Sequence, residues 1–463
     1  MASETYQIPE VLAVAQLHPF YVPSVKYPPD AETIKRAQDQ ARRNVEKFDL
    51  SSQGFLYKKD LFHTVDRLVN DLSPENTYRR SCYTSMTGGG SGGAQLLFVT
   101  DVHENRRHRA YFGKFLKATG IVEETDWILT THFEGHIYRS MDLMAELFEN
   151  GGASVLCGGS YMSTTEVVKA LVDYHVNALA GESSQIINTV QYISTLSQEQ
   201  RDRIKIQKVI YTSEMLTPAQ RSFIREIIGS VKIYSVYGSA EAGPWAASSP
   251  DLLEQGSGVS QDFIFDTRSM VVEILDPSIM ETHHGSSIAP QSMPDGERGI
   301  IVQTSLNRLR NPLVRYVTGD MGSIHPLPES VRSRMSDADS QFLHVLRLYG
   351  RDRRFSFEWD GMYFEFENLA ALLGHEECGV LQWQVILDRL DSCPRSTIEV
   401  RVFRSSHDPS LLSEADLKER IMNFFNVCPG NEPWICVTLV EDRKDFVRSA
   451  TGDKILKFVD RFN

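Results

Sequence analysis

The run Ser81-Cys82-Tyr83-Thr84-Ser85-Met86-Thr87-Gly88-Gly89-Gly90-Ser91-Gly92-Gly93 is the first place where residue types suggest chemistry. Glycines let a backbone approach an anion closely, and successive N–H groups form a nest for phosphate oxygens. Thr84, Ser85 and Thr87 add hydroxyl donors. No Gly-Lys-Ser/Thr follows, so this is not a Walker-type loop, and the same composition also suits an exposed flexible connector. A second run, Val236-Tyr237-Gly238-Ser239-Ala240-Glu241-Ala242-Gly243, directly follows a strand pattern. In an open parallel sheet ligands lie beyond the carboxyl ends of strands. Tyr237 there can pack on a base or an acyl group, and Glu241 offers the hard oxygen that Mg²⁺ prefers. A plain turn with a solvated Glu is the alternative. A third, Val314-Arg315-Tyr316-Val317-Thr318-Gly319-Asp320-Met321-Gly322, places Asp320 where a carboxylate can accept both hydroxyls of a ribose, or simply close a Gly-Asp turn. Gly350-Arg351 and Thr451-Gly452-Asp453-Lys454 complete the set, although a Lys on a turn is commonly solvated.

Short apolar runs alternate with helical patterns between these motifs. Ala153-Ser154-Val155-Leu156-Cys157, Ala178-Leu179-Ala180, Lys208-Val209-Ile210-Tyr211-Thr212 and Lys232-Ile233-Tyr234-Ser235-Val236-Tyr237 read as strands. Residues 165–174, 187–196 and 218–228 read as the helices between them. This predicts an α/β fold with a mostly parallel, doubly wound sheet. Residues 271–275 and 299–303, separated by a turn-rich segment, predict a small antiparallel, barrel-like part beside it. Residues up to about 75 form a helical lead-in, with Pro28-Pro29-Asp30 ahead of a polar–apolar stretch. The domain expectation is therefore 1–350 for a large N-terminal domain and 351–463 for a smaller α+β unit.

The chain has 463 residues, too many for one compact core. Its net charge of -13 repels phosphate backbones and argues against a nucleic-acid partner, without excluding a local basic pocket. No apolar stretch is long enough to span a membrane, the N-terminus lacks the pattern of a secretory signal, and the C-terminus is no peroxisomal address. None of the 6 cysteines forms a C-x-x-C pair, so scattered thiols in a reducing compartment are expected, and the cytoplasm is the default setting.

Taken in order, the hydroxyl/Gly loop, the strand followed by Tyr-Gly-x-x-Glu, the Tyr-x-Thr-Gly-Asp run, Gly-Arg and a late Lys resemble the adenylate-forming superfamily of acyl-CoA synthetases, adenylation domains and luciferases. Tyr211-Thr212-Ser213-Glu214, followed by Thr217-Pro218 and Arg221, and the run from Tyr237 to Pro244 most resemble the phenylacetate–CoA ligases. Each motif is weakly specific, whereas the five in sequence are strong. The resemblance spans about residues 75 to 460.

That resemblance implies ATP-dependent activation of a carboxylic acid through an acyl-adenylate, then transfer to CoA. It implies that Thr84, Ser85, Thr87 and Gly88 hold phosphates, that Ser213 and Glu214 lie along the adenine, and that Tyr237 packs near the base. Gly238 and Ser239 would line the acyl site, Glu241 would bind Mg²⁺, Asp320 would accept the ribose hydroxyls with Arg351 beside it, and Lys454 would bridge the acyl carboxylate and the nucleotide. His132, Phe133 and His136, of which Phe133 and His136 are i, i+3 neighbours if the segment is helical, would line the acyl pocket with Ala242, Gly243 and Trp245. A mobile C-terminal domain would turn about residues 350–354, and relatives make a homodimer an expectation.

Three departures accompany this. Met86 and Gly88 break the usual phosphate loop, and no Lys follows. Arg353-Arg354 replaces an acidic hinge residue, and residues 355–361 are bulkier than the usual Gly-rich segment. Gly452-Asp453-Lys454 carries one extra residue. An amide-forming ligase, or a freestanding adenylation enzyme serving an amine or a carrier protein, is the first alternative. A non-catalytic nucleotide-binding relative is the second.

Overall fold

A computed structural model describes residues 5–86, 97–135, 137–213, 215–216, 218–253, 260–280, 292–351, 356–389, 395–404, 411–447 and 455–461. They fall into two compact units that divide after residue 352.

The first unit is organised by one eleven-stranded sheet. Ser154–Cys157, Trp127–Thr130, Ala178–Glu182, Lys208–Thr212 and Lys232–Ser239 run parallel in that spatial order. Their apolar residues alternate, so successive side chains leave opposite faces. Ile128, Ala178, Ala180, Ile210 and Tyr234 pack under the helices Val102–Ala118 and Ser140–Gly151. Leu129, Leu179, Val209, Tyr211 and Ile233 pack under Thr164–Asp173, Ser183–Ser194 and Pro218–Ile228. Helices on both faces are the doubly wound arrangement that the alternation predicts. Local signals agree: Ser163 and Glu166 form a reciprocal capping box at the start of Thr164–Asp173.

The antiparallel strands are continuous with the parallel ones. Gly243–Ser248, Gln261–Asp266, Leu343–Arg351, Tyr316–Pro326, Gly299–Ser305 and Met270–Leu275 extend the same sheet beyond Lys232–Ser239. Lys232–Ser239 and Tyr316–Pro326 stand four positions apart in that order. A flat sheet would separate them by roughly 19 Å at about 4.8 Å per strand. Yet the Tyr237 hydroxyl donates to Asp320 Oδ2 at 2.6 Å, so this part curls upon itself. Trp245, Phe263, Phe265, Met270 and Ile301 fill the curl, closed by Leu61, Val65 and Leu68 of the helix Lys58–Asn70.

The second unit has its own core. Ile435–Leu439, Ser396–Arg404, Val380–Arg389 and Phe458–Asp460 form a four-stranded sheet, with the helices Phe366–Leu373 and Glu414–Phe424. The bulky residues after the domain junction form the hairpin Ser356–Trp359 and Met362–Glu365. Asp360 and Gly361 both have positive φ, 50° and 76°, as a two-residue turn matched to strand twist requires. Phe357, Trp359 and Phe364 are buried within an aromatic cluster that includes Phe424 and Phe425.

The helices Val102–Ala118 and Ser140–Gly151 approach closely at Gly113, where a Cβ would lie 2.4 Å from Asn150 Cβ and 2.8 Å from the Leu147 carbonyl oxygen. Alanine favours a helix over glycine by about 1 kcal/mol. A clash with backbone on a neighbouring helix costs about 1–3 kcal/mol. The expected net effect of Gly113→Ala is a destabilisation of up to about 2 kcal/mol in urea unfolding; a raised midpoint would show that the helices separate freely.

Candidate active site

The sheet changes from parallel to antiparallel at Lys232–Ser239, whose partner Gly243–Ser248 returns through residues 240–242. A Cβ at Gly238 would meet the Gly243 carbonyl oxygen at 2.5 Å and Pro244 Cα at 2.6 Å, so only glycine permits this approach. Ser239 Oγ accepts from the Ala242 N–H at 3.0 Å and closes the turn. The turn directs Glu241 inward, 7% exposed. Tyr316 donates to its carboxylate at 3.4 Å, and Arg308 donates to its backbone carbonyl.

Asp320 is buried too. Its N–H donates to Thr318 Oγ1 at 3.0 Å, and its carboxylate accepts from Tyr237. The Tyr237 ring is held 5.2 Å from Trp245 and 5.5 Å from Phe263. Arg351 stands opposite Asp320 in the antiparallel ladder.

A cleft of about 180 Å³ opens at the carboxyl ends of the parallel strands. The structure brings Ser85, His132, Ser213, Gly238, Ser239 and Gly243 to it from four separate stretches of chain. Ser213 follows the strand Lys208–Thr212 with a φ of 74°, an unusual conformation for a residue with a side chain. His132 is fully buried; its Nδ1 bonds Thr130 Oγ1 at 2.8 Å and its Nε2 bonds Thr212 Oγ1 at 3.0 Å. Burial lowers its pKa to about 3, so the ring is neutral.

Several lining residues have no motif to announce them. Asn105, His108 and Arg109 share one face of the helix Val102–Ala118 at i, i+3 and i+4. In the sequence they sit in a charged run that reads as a solvated surface, and only helical spacing hints at a common face. Tyr83 lies between the guanidiniums of Arg109 and Arg139, 4.5 and 4.2 Å from its ring centroid. Arg109 is neutralised by Asp142 and Glu146. Arg308 also lines the cleft; burial lowers its pKa to about 10.

Other expected residues fall elsewhere. Thr84 points away from the cleft because neighbouring strand residues face oppositely, and Tyr83 and Ser85 take the near side. Ala242 and Trp245 are core residues and not pocket lining: Trp245 is the extra residue of a bulge between Pro244 and Ala246, which turns it into the curl against Phe265. Phe133 packs against Tyr138 and Tyr161 instead of lining the cleft. Its segment is not helical, since Glu134–Gly135 and Tyr138–Arg139 pair as a tight hairpin, with φ of 83° at Gly135 and 65° at Ile137. Thr87, Gly88, His136, Glu214 and Lys454 lie outside the described residues, as does the Arg351 side chain.

Among the described residues no group of three His, Cys, Asp or Glu side chains could hold a metal. A lone buried carboxylate suits Mg²⁺ held mainly by phosphates, because that ion commonly takes one or two carboxylates plus substrate oxygens. Glu241 fits that part, with no cation at ion-pair distance among the described residues.

The chain has the fold of the adenylate-forming enzymes. It superposes on 2-hydroxyisobutyryl-CoA ligase, solved with 2-HIB-AMP and CoA, with a TM-score of 0.68 at 16% identity, covering 98% of this chain and 88% of the other. In sequence it is similar to phenylacetate-coenzyme A ligase of Thermus thermophilus, 27% identical over 180 residues, which are 37% of this chain and 36% of that protein. It is also similar to indoleacetate–lysine synthetase of Pseudomonas savastanoi, 28% identical over 172 residues, or 35% and 41% of the two chains. The matched stretches thus span little more than a third of these curated relatives. No family model matches. Among the described residues no helix is long and apolar enough to cross a membrane.

His18, His108 and His132 each have a pKa lowered from 6.5 to about 3, chiefly by burial. The unfolded chain therefore takes up protons below about pH 6.5 that the folded chain refuses until about pH 3, and stability falls with pH across that window. Between pH 7 and pH 5 one such histidine contributes a loss of about 2 kcal/mol. His132→Gln should lose about 2 kcal/mol less than the parent chain over that interval in urea unfolding; equal losses would show that His132 protonates while folded.

Proposed function

We propose that this chain uses ATP to activate a small carboxylic acid as an acyl-adenylate and passes the acyl group to CoA. The observation that carries the reading is the pairing of two buried carboxylates across the curled sheet, Glu241 by Tyr316 and Asp320 by Tyr237, beside a cleft at the carboxyl ends of the parallel strands. The fold and the partial similarity to phenylacetate–CoA ligases support it.

In the first step a carboxylate oxygen attacks the α-phosphorus of ATP. The new O–P bond forms as the bond to the bridging oxygen breaks and pyrophosphate leaves. Two anions must meet, so cationic groups lower the barrier. Glu241 would hold Mg²⁺, which supplies charge neutralisation at the phosphates. Asp320, buried and held by Tyr237, would accept from the ribose hydroxyls. Ser85 and Ser213 offer hydroxyls at the cleft wall, and Lys454 is assigned to the acyl carboxylate and the nucleotide. In the second step a thiol attacks the acyl carbon, gives up its proton, and releases AMP. We assign residues 1–350 to nucleotide and acid binding and residues 351–463 to a lid that alternates between the two steps. The setting is the cytoplasm.

An amide-forming second step is the alternative. It is favoured by the hairpin Ser356–Trp359 and Met362–Glu365, whose aromatic residues occupy a stretch expected to be Gly-rich in CoA ligases. Similarity to indoleacetate–lysine synthetase points the same way.

ATP–pyrophosphate exchange over a panel of aromatic and short aliphatic acids tests the first step. Exchange is expected with at least one acid, reduced about 100-fold or more by Glu241→Gln and by Lys454→Ala. No exchange with any acid would refute activation. CoA-dependent AMP release is expected next; AMP release that needs an amine instead would establish the amide-forming alternative.

A further inference from the structure

Arg308 is 4% exposed, and its guanidinium belongs to the cleft wall. Its single hydrogen bond among the described residues goes from Nη1 to the Glu241 carbonyl oxygen. No carboxylate forms an ion pair with it there. Glu104 is close enough to favour the charged form, but its oxygens are taken by the Tyr6 hydroxyl and the N–H groups of Leu309 and Arg310, at 3.0, 2.9 and 3.4 Å. A guanidinium has five N–H donors, and a buried cation with donors unspent is costly. The unspent side faces Gly243: a Cβ built there would lie 3.7 Å from Arg308 Nη2 and 2.8 Å from His108 Cε1. The glycine leaves this space open between a cation and an imidazole.

The Cε1–Nδ1 edge of His108 faces the Gly243 wall, and its Nε2 is buried away from the cleft without a partner. Asn105 Oδ1, on the same helix face, is a buried acceptor without a partner. The charge of the other arginine of the wall, Arg109, is offset by Asp142 and Glu146 through Nη1, while its Nε and Nη2 are buried without a partner. An apolar acyl chain would leave the Arg308 donors at the Gly243 wall unsatisfied.

We propose that the acid accepted by this cleft carries, besides the carboxylate that is activated, a second oxygen that accepts from Arg308 beside the Gly243–Pro244 wall. The inference rests on the acid-activating reading above. A hydroxyl and a second carboxylate can both supply that oxygen, and the acids differ in its source.

The test compares matched acids that differ at one position: unsubstituted, hydroxyl-bearing, and bearing a second carboxylate. Each is measured by ATP–pyrophosphate exchange and by calorimetric binding to the intact chain, for the parent protein and for Arg308→Gln. The parent is expected to prefer an oxygen-bearing acid by about ten- to a hundredfold in kcat/KM, the worth of one charge-assisted hydrogen bond. Arg308→Gln should erase that preference while affecting the unsubstituted acid less. A preference for the dicarboxylic acid would identify the oxygen as a carboxylate. Equal or better use of the unsubstituted acid by the parent would overturn the proposal, and so would a uniform loss in the variant, which would reduce Arg308 to a brace for the Glu241 turn. Should no acid support exchange, activation fails on its own account. Binding then decides: oxygen-bearing acids that bind the parent and lose affinity in Arg308→Gln uphold the inference, and absence of binding overturns it. The parent's preference is readable even if the variant does not fold.

Discussion

Two hydroxyl–carboxylate bonds span the same gap in opposite senses. Tyr237 reaches from Lys232–Ser239 to Asp320, and Tyr316 reaches from Tyr316–Pro326 to Glu241. Each tyrosine holds the carboxylate borne by, or just beyond, the other's strand. These bonds require strands four places apart to meet, so the curl of the antiparallel strands and the placement of the two carboxylates are one constraint. The aromatic packing of Tyr237, Trp245, Phe263 and Phe265 fills the interior that the curl creates. Burial there gives the site a low-dielectric surrounding, in which charges interact more strongly than in water.

The cleft differs from a simple apolar slot. Its wall combines His132, neutral and satisfied by two hydroxyls, with Arg308, which makes one hydrogen bond among the described residues, and His108, whose Nε2 has no partner. Desolvated polar groups are held at a cost, and a ligand that satisfies them recovers it, so polar clefts discriminate more sharply than apolar ones.

Much of this was legible in the sequence where the signal is local. The strand at Lys208–Thr212 and the helix at Pro218–Ile228 follow from unbroken apolar periodicity. Tyr237, Glu241 and Asp320 stood out because a turn after a strand is itself a positional statement. Arg308 and His108 did not, because their role depends on which strand ends meet and which helix face turns inward. The segment from Phe133 to Tyr138 was misleading: Phe133 and His136 are spaced like one face of a helix, yet Glu134–Gly135 and Tyr138–Arg139 pair as a hairpin with left-handed backbone at Gly135 and Ile137. Trp245 was drawn into the pocket by its neighbours Gly243 and Pro244, yet a one-residue bulge reverses its direction.

The turn at residues 240–242 has a consequence for how such a cleft can diversify. It joins two strands hydrogen-bonded to each other, with Gly238 pressed against Gly243 and Pro244. Lengthening it would slip the register of the ladder and swing every side chain beyond it to the other face. The connections after Trp127–Thr130 and Lys208–Thr212 lead instead into crossovers between parallel strands, which absorb insertions readily. Change in such a cleft therefore has freedom to arise at residues 131–140 and on the inward face of Val102–Ala118, while the length of the Glu241 turn is held by the ladder on either side of it, a fixed reference point against which the rest of the cleft is measured.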